Sequence, residues 1–297
     1  MELTGEKAAR RRHRAARWLF HKVSFKQAIL PTYDDDRYRR RFFEYDVEST
    51  RRFFARFKGS LSVDGKTVLD VGCGRGATSI EAARRGATRV VGVDLRIAPQ
   101  ALELVAGDAG LVGRVELVRT NGTLEELGTA TFDVVLSKDS FEHYAEPESF
   151  ISTLARFVKP GGVLAIGFGP LWKGPTGGHI DSVTWLPWAH LFFPEDVIMA
   201  ERRRFHPADK TRRFEEVPGG LNKMTLSRFE AIMESSGLEC RYLETNVSDN
   251  PVVRTMKMIS LIPPLREFFT TNVYGLWRKP ERSRKHAQGR HRMALSN

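Results

Sequence analysis

Thr67-Val68-Leu69-Asp70-Val71-Gly72-Cys73-Gly74-Arg75-Gly76 is a short apolar strand running into a turn with glycine at every second position. Aliphatic and β-branched residues that give way at once to glycines read as a buried strand ending in a tight turn. Glycine has no Cβ and tolerates left-handed dihedrals, so such a turn brings backbone N–H groups close to a ligand. A helix is predicted next over residues 77–85, stopped by Gly86. The spacing is G-x-G-x-G. It differs from the G-x-G-x-x-G that seats a pyrophosphate on a helix N-terminus. A ligand with no phosphate and with cationic groups suits this turn and the neighbouring Asp70 carboxylate better.

Outward from the turn, short apolar strands alternate with amphipathic helices. Arg89–Asp94 is the second strand, 114–119 the third, 132–137 the fourth and 163–168 the fifth. Residues 147–158 put Phe150, Ile151, Leu154, Phe157 and Val158 on one helical face, and Lys159-Pro160-Gly161-Gly162 ends that helix. Thr225 is placed to cap a helix whose Leu226, Phe229, Ile232 and Met233 face inward and which stops at Gly237. Residues 238–247 and 271–278 read as two closing strands separated by a loop and a short helix near 264–270. This order predicts an α/β fold, a Rossmann-like doubly wound sheet, mostly parallel with an antiparallel closing strand and helices on both faces. The chain divides into an N-terminal helical extension (1–60), a Rossmann-like core (61–168), an insertion (169–222), a C-terminal completion of the core (223–279) and a basic tail (280–297). Within the extension, residues 7–22 and 35–58 read as helices.

The formal net charge of +11 suggests a nucleic-acid binder until it is located. Residues 1–22 hold seven Lys/Arg against two acids and residues 278–297 seven against one, which leaves 23–277 neutral. A neutral body argues against a groove that tracks a phosphate backbone, while the basic termini suit weak contact with an anionic membrane or nucleic acid. Two cysteines, Cys73 and Cys240, are too few for a disulfide framework and fit a reducing compartment. No run approaches the ~18 apolar residues of a membrane span, and the Arg-rich start lacks the apolar core of a secretory signal. The expectation is a cytoplasmic protein, able to sit peripherally at a membrane.

Asp94 ends the second strand, where a carboxylate accepts hydrogen bonds from both ribose hydroxyls of an adenosine. Together these residues resemble the class I S-adenosyl-L-methionine (SAM) dependent methyltransferases over about residues 60–170. Val68-Leu69-Asp70-Val71-Gly72-Cys73-Gly74 is similar to their first motif, and Phe132-Asp133-Val134-Val135, Glu142-His143 and Lys159-Pro160-Gly161-Gly162 are similar to later ones in the same order. The resemblance implies SAM as cofactor, with Gly72 and Gly74 at its methionine end and Asp94 at its ribose. It also sets Asp70, Cys73, Leu95 and Ser137 around the cofactor. The family usually has Asp for the adenine after the third strand, where this chain has Asn121-Gly122.

Methyl transfer is an in-line displacement, so a hydroxyl acceptor must be aligned and relieved of its proton. The base should follow the fourth strand, at the carboxyl edge where open α/β sheets bind ligands, and residues 137–143 occupy that edge. His143 is the candidate, because imidazole titrates near neutrality; the other reading is that it packs the following helix. Asp139-x-x-Glu142-His143 is similar to the Glu-x-x-Glu-His element of ubiquinone-biosynthesis O-methyltransferases, where such residues can bind a divalent metal. Asp139, Glu142 and His143 are thus candidate ligands, although three so close in sequence signal a metal only weakly. In the aromatic insertion His179, Trp188 and His190 are candidates for the acceptor pocket, under a lid or within a small satellite core. Arg202-Arg203-Arg204 reads as a solvated face, because acids and bases balance over 169–222. Tyr33, Tyr38, Phe42 and Phe43 either close over the cofactor or belong to the core. The expected activity is O-methylation of a small apolar or lipid-linked acceptor. An RNA methyltransferase and a non-catalytic SAM-binding module are the alternatives, the former disfavoured because no Asn-Pro-Pro-Tyr-type tetrapeptide follows the fourth strand.

Overall fold

The computed structural model describes residues 2–25, 36–129, 131–207, 210–217, 220–248 and 250–281. Among these residues seven strands form one sheet: β1 (Thr67–Val71), β2 (Arg89–Asp94), β3 (Val115–Arg119), β4 (Phe132–Lys138), β5 (Val158–Phe168), β6 (Glu239–Thr245) and β7 (Val273–Arg278). Their spatial order is β3-β2-β1-β4-β5-β7-β6. β1 to β5 pair in parallel, and β7 runs antiparallel to both β5 and β6. The chain therefore winds outward from β1 in one direction and from β4 in the other, leaving a crevice at their carboxyl ends.

Alternation along the strands sorts side chains to two faces. Leu69, Val71, Val135, Leu164 and Ile166 pack with Ile151, Leu154 and Phe157 of α5 (Pro147–Phe157) and with Phe229 and Ile232 of α8 (Leu226–Ser235). Val68, Val90, Val134 and Leu136 pack on the opposite face with Phe53 of α2 (Asp36–Arg56), Phe57 just after it and Ile80 of α3 (Ala77–Arg84). Burying each of these large side chains stabilises the fold by roughly 1.5–3 kcal/mol. Thr225 caps α8 as its residue type predicts, its Oγ1 accepting from Arg228 N at 3.2 Å.

A third cluster belongs to the insertion. Ile180, Val183, Ala189, Val197, Ile198, Met199 and Phe214 gather around Phe20 of α1 (Glu2–Val23), which is fully buried. α1 lies along α7 (Glu195–Phe205), held by His13 Nε2 to Asp196 at 2.6 Å and His21 Nδ1 to Glu201 at 2.9 Å. Residues 169–222 also contain the short α6 (Ala189–Phe192).

Several local expectations are corrected. Residues 246–263 are not a plain loop: α9 (Pro251–Ile259) starts there, with Asn250 Oδ1 accepting from Val252 N at 2.9 Å. Only a single 3-10 turn, Pro263–Leu265, stands near the helix expected at 264–270. α4 (Pro99–Gly107) fills the connection between β2 and β3. The Arg202 to Arg204 run is not a solvated face, because Arg202 is buried, Arg203 donates to Thr211 O and Arg204 pairs with the buried Glu201. Tyr33 and the tail from residue 282 lie outside the described residues, as do the side chains of Tyr38, Phe42 and Phe43.

Candidate functional site

The glycine turn leaves β1 with three left-handed residues, Gly72 (φ +78°), Gly74 (φ +49°) and Gly76 (φ +72°). A Cβ on Gly72 would lie 2.4 Å from Ser140 Oγ, so the turn and the segment after β4 touch only because this residue is glycine. Gly72 N and Cys73 N both donate to Val93 O of β2, which fixes the turn across the strand ends. Cys73 is buried, and burial together with Asp70 and Asp94 pushes its thiol far above the ordinary range, so it is an inert lining group.

Asp70 is fully buried behind the turn. Its Oδ2 accepts from Ser79 Oγ at 2.7 Å, while Oδ1 is buried with no hydrogen-bond partner. Burial raises its pKa to about 6, against the opposing Ser79 hydrogen bond and the Lys138 charge. An unsatisfied buried acceptor of this kind fits a cationic ligand group. Asp94 Oδ2 accepts from Gly74 N at 2.8 Å and Oδ1 from Arg96 N at 2.9 Å, which orients the carboxylate while each oxygen keeps a second lone pair. Leu95 is exposed beside Gly122, and Asn121 turns Oδ1 back to Thr123 N and Oγ1. That oxygen is therefore used within its own loop.

Across the crevice, Ser137 Oγ and Tyr144 Oη are 2.8 Å apart, and Ser140 Oγ donates to Val71 O at 3.2 Å. Lys138 pairs with Asp139 at 2.6 Å, and Asp139 sits in a left-handed conformation. Arg75 of the turn pairs with Asp46 of α2 at 2.6 Å, tying the N-terminal extension to the crevice. Ser79, Lys138, Ser140 and Tyr144 were not singled out from the sequence. A serine inside α3 and polar residues around the end of β4 carry no spacing signal, and only the packing of α3 and β4 against β1 reveals them.

His143 lies in a 3-10 turn, Phe141–His143, and its Nδ1 hydrogen-bonds Gly220 O. A carbonyl only accepts, so Nδ1 carries the proton and Nε2 of the neutral ring holds the free lone pair. The ring meets His179 edge to face with centroids 5.7 Å apart. His179 has φ +49°, and burial followed by the charges of His143 and His190 lowers its pKa to about 4. His190 Nε2 donates to Trp172 O at 2.5 Å, and burial lowers its pKa. The sites His179 Nε2, His190 Nδ1 and Glu142 Oε2 are all buried without partners. Sequence separations of up to 47 residues among His143, His179 and His190 hide this grouping, which the insertion creates by folding back. Trp188 goes elsewhere, donating to Phe268 O at 3.0 Å and packing on Phe269.

The metal-ligand candidates do not converge. Asp139 is held by Lys138, Glu142 is buried with its pKa raised to about 8 by burial and then by Asp139, and His143 Nδ1 faces a carbonyl. Among the described residues no group of three His, Cys, Asp or Glu side chains is arranged to hold a metal ion.

Residues 69–166, which include the turn and His143, match the family model described as a methyltransferase domain. The ubiquinone biosynthesis O-methyltransferase of Hahella chejuensis is 45% identical over 103 residues, 34% of this chain and 42% of that one. The chain thus spans less than half the length of this curated relative. An S-adenosylmethionine dependent methyltransferase from Mesorhizobium loti shares the fold with a TM-score of 0.50 at 16% identity, over 78% of this chain and 96% of that one. The phosphoethanolamine N-methyltransferase 2 of Haemonchus contortus, solved with S-adenosyl-L-methionine, gives 0.51 at 18% identity over 79% and 53%. No helix among the described residues is long and apolar enough to cross a membrane.

Proposed function

We propose that this chain, whose residues 69–166 match the methyltransferase-domain model, uses S-adenosyl-L-methionine to methylate the oxygen of a small apolar or lipid-linked acceptor. The observation that carries the reading is the contact between the glycine turn and the segment bearing His143, made where Gly72 abuts Ser140. Donor turn and base thereby share one crevice. The residues present fit the donor: Asp70 Oδ1 would take its ammonium end, the Gly72 and Gly74 backbone would lie against its chain, and Asp94 would accept from its ribose. The Cys73, Leu95, Asn121 and Ser137 positions complete that surround. When bound, the donor supplies a methyl group already activated on a sulfonium.

The protein's own work is then to align an acceptor and remove its proton. His143 Nε2 is the proposed general base, since the Gly220 carbonyl holds the tautomer that leaves Nε2 bare. A neutral His179 beside it adds no competing positive charge, and His190 sits further along the same wall. Incubating the purified chain with methyl-labelled SAM and a lipid and small-molecule extract should label one class of product at oxygen; labelled RNA in its place would overturn the acceptor. His143→Ala should lower turnover by about 10²–10⁴-fold while SAM affinity, read by calorimetry, stays unchanged. Full turnover in that variant removes His143 from the mechanism.

A further inference from the structure

α9 buries none of its residues. Val252 and Met258 on it, and Leu261, Ile262 and Phe268 after it, stay exposed, with Leu261 open to 70%. An amphipathic helix normally turns its apolar side to the core, so an apolar surface left outside marks an interaction site. The connection that carries these residues leaves β6 at Thr245 and returns into β7 at Val273. Val273 pairs with Phe168, the last residue of β5, so the connection stands at the same carboxyl edge as the crevice. Leu171 N donates to Thr271 O and Trp188 Nε1 to Phe268 O, which joins it directly to the insertion around His179 and His190. Trp185 and Phe192, on either side of Trp188, are also exposed, at 73% and 74%.

We propose that this rim docks on the surface of an anionic lipid bilayer, with Val252, Met258, Leu261, Ile262 and Phe268 entering the headgroup region. The proposal deepens the function above and rests on its lipid-linked branch. Charge complementarity selects the occupant: residues 251–269 hold Arg254, Lys257 and Arg266 against Glu267 alone, and Lys173 Nζ stands 5.9 Å over the Phe268 ring. Lys257, Arg266 and Lys173 also hold Glu244, Glu230 and Glu267, so Arg254 supplies the local attraction beside the apolar side chains. A second copy of this chain, with a formal net charge of +11, would be repelled. Cations flanking aliphatic and aromatic side chains on an amphipathic helix are what an interfacial helix presents. Docked this way, the rim would set the crevice mouth against the bilayer, where a lipid-linked hydroxyl can reach His143 without crossing water.

The test is co-sedimentation of the full chain with phosphatidylglycerol/phosphatidylcholine vesicles and with pure phosphatidylcholine vesicles, at low and high salt. Binding should be stronger to the anionic vesicles and should persist in part at high salt, because apolar insertion is not screened. Met258→Asp combined with Leu261→Asp should weaken partitioning by about tenfold or more. Both side chains are exposed, so melting temperature and SAM affinity should not move. Undiminished binding by the variant, or binding abolished by salt alone, would assign the contact to the basic termini and overturn the proposal; so would an absence of binding to anionic vesicles. The methyl-labelling experiment separates the two readings. A water-soluble product beside variant-sensitive vesicle binding removes the lipid acceptor and leaves the docking, whereas a lipid-linked product without vesicle binding removes the docking alone.

Discussion

Asp70 and Glu142 are buried carboxyls on the two sides of one crevice, and burial moves both toward the neutral acid. For Asp70 this couples to the ligand. A cation at Oδ1 favours the ionised form, so SAM affinity should rise with pH through about 6 and level off above it. Asp70→Asn should remove that pH dependence and weaken binding by about tenfold or more, as loss of a buried charged partner does; calorimetry across pH 5–8 reads both, and a wild-type curve flat in pH would dissociate Asp70 from the ligand. Glu142 has no such partner. Its folded pKa of about 8 lies above the ordinary 4.5, so the folded state binds the proton more tightly than the unfolded one. The group's contribution is therefore fully present below pH 4.5 and lost as pH rises through 8, a change of roughly 5 kcal/mol on the conversion of 1.36 kcal/mol per pH unit. Glu142→Gln should flatten the fall in melting temperature between pH 5 and 9. An equally steep fall in the variant would place the sensitivity in other groups.

Elements repeat the lesson that a local signal is legible when it points at the core. β1 to β5, α3, α5 and α8 could be read from the chain because their apolar residues recur at strand or helix periods and end at glycine or proline. Gly72 belongs with them: with φ +78° and Ser140 Oγ in the space of its Cβ, Gly72→Ala should destabilise the chain by about 1–3 kcal/mol in a thermal melt and weaken SAM binding together with it. An alanine variant of wild-type stability would mean that Ser140 moves aside freely. α9 is hard to read from the sequence although Asn250 and Pro251 form an ordinary helix start, because no residue of it is buried and only Val253, Met256 and Ile259 among its apolar positions are partly covered. The site was legible only in part, for a related reason. Asp70, Gly72, Gly74, Asp94 and His143 lie at strand ends that the fold brings together, whereas His179 and His190 reach His143 through an irregular insertion whose path no periodicity encodes. Trp188 shows the converse, an aromatic of the same insertion that turns toward Phe268 and Phe269.

At the scale of the molecule, the sheet supports two clusters to which α1 contributes nothing and the insertion only Leu171, and a third cluster is built from α1 and the insertion alone. The wall that carries His179 and His190 therefore depends on a helix more than 150 residues away in the chain, through Phe20, its ring 4.8 Å from Phe193, and through Phe25 N donating to Val183 O. Phe20→Ala removes a fully buried ring from this small cluster, where about 3–5 kcal/mol is the usual consequence of such a truncation. Because the sheet's own clusters are untouched, the loss should appear as local opening. Limited proteolysis should cut first within 169–222, turnover should fall with His179 and His190 displaced, and SAM affinity should hold, since Asp70, Gly72, Gly74 and Asp94 belong to β1, β2 and their turn. If instead the variant lost SAM binding in step with turnover, or if cleavage spread evenly over the chain, the insertion and the sheet would be one cooperative unit. The wall that carries His179 and His190 would then be as rigid as the glycine turn.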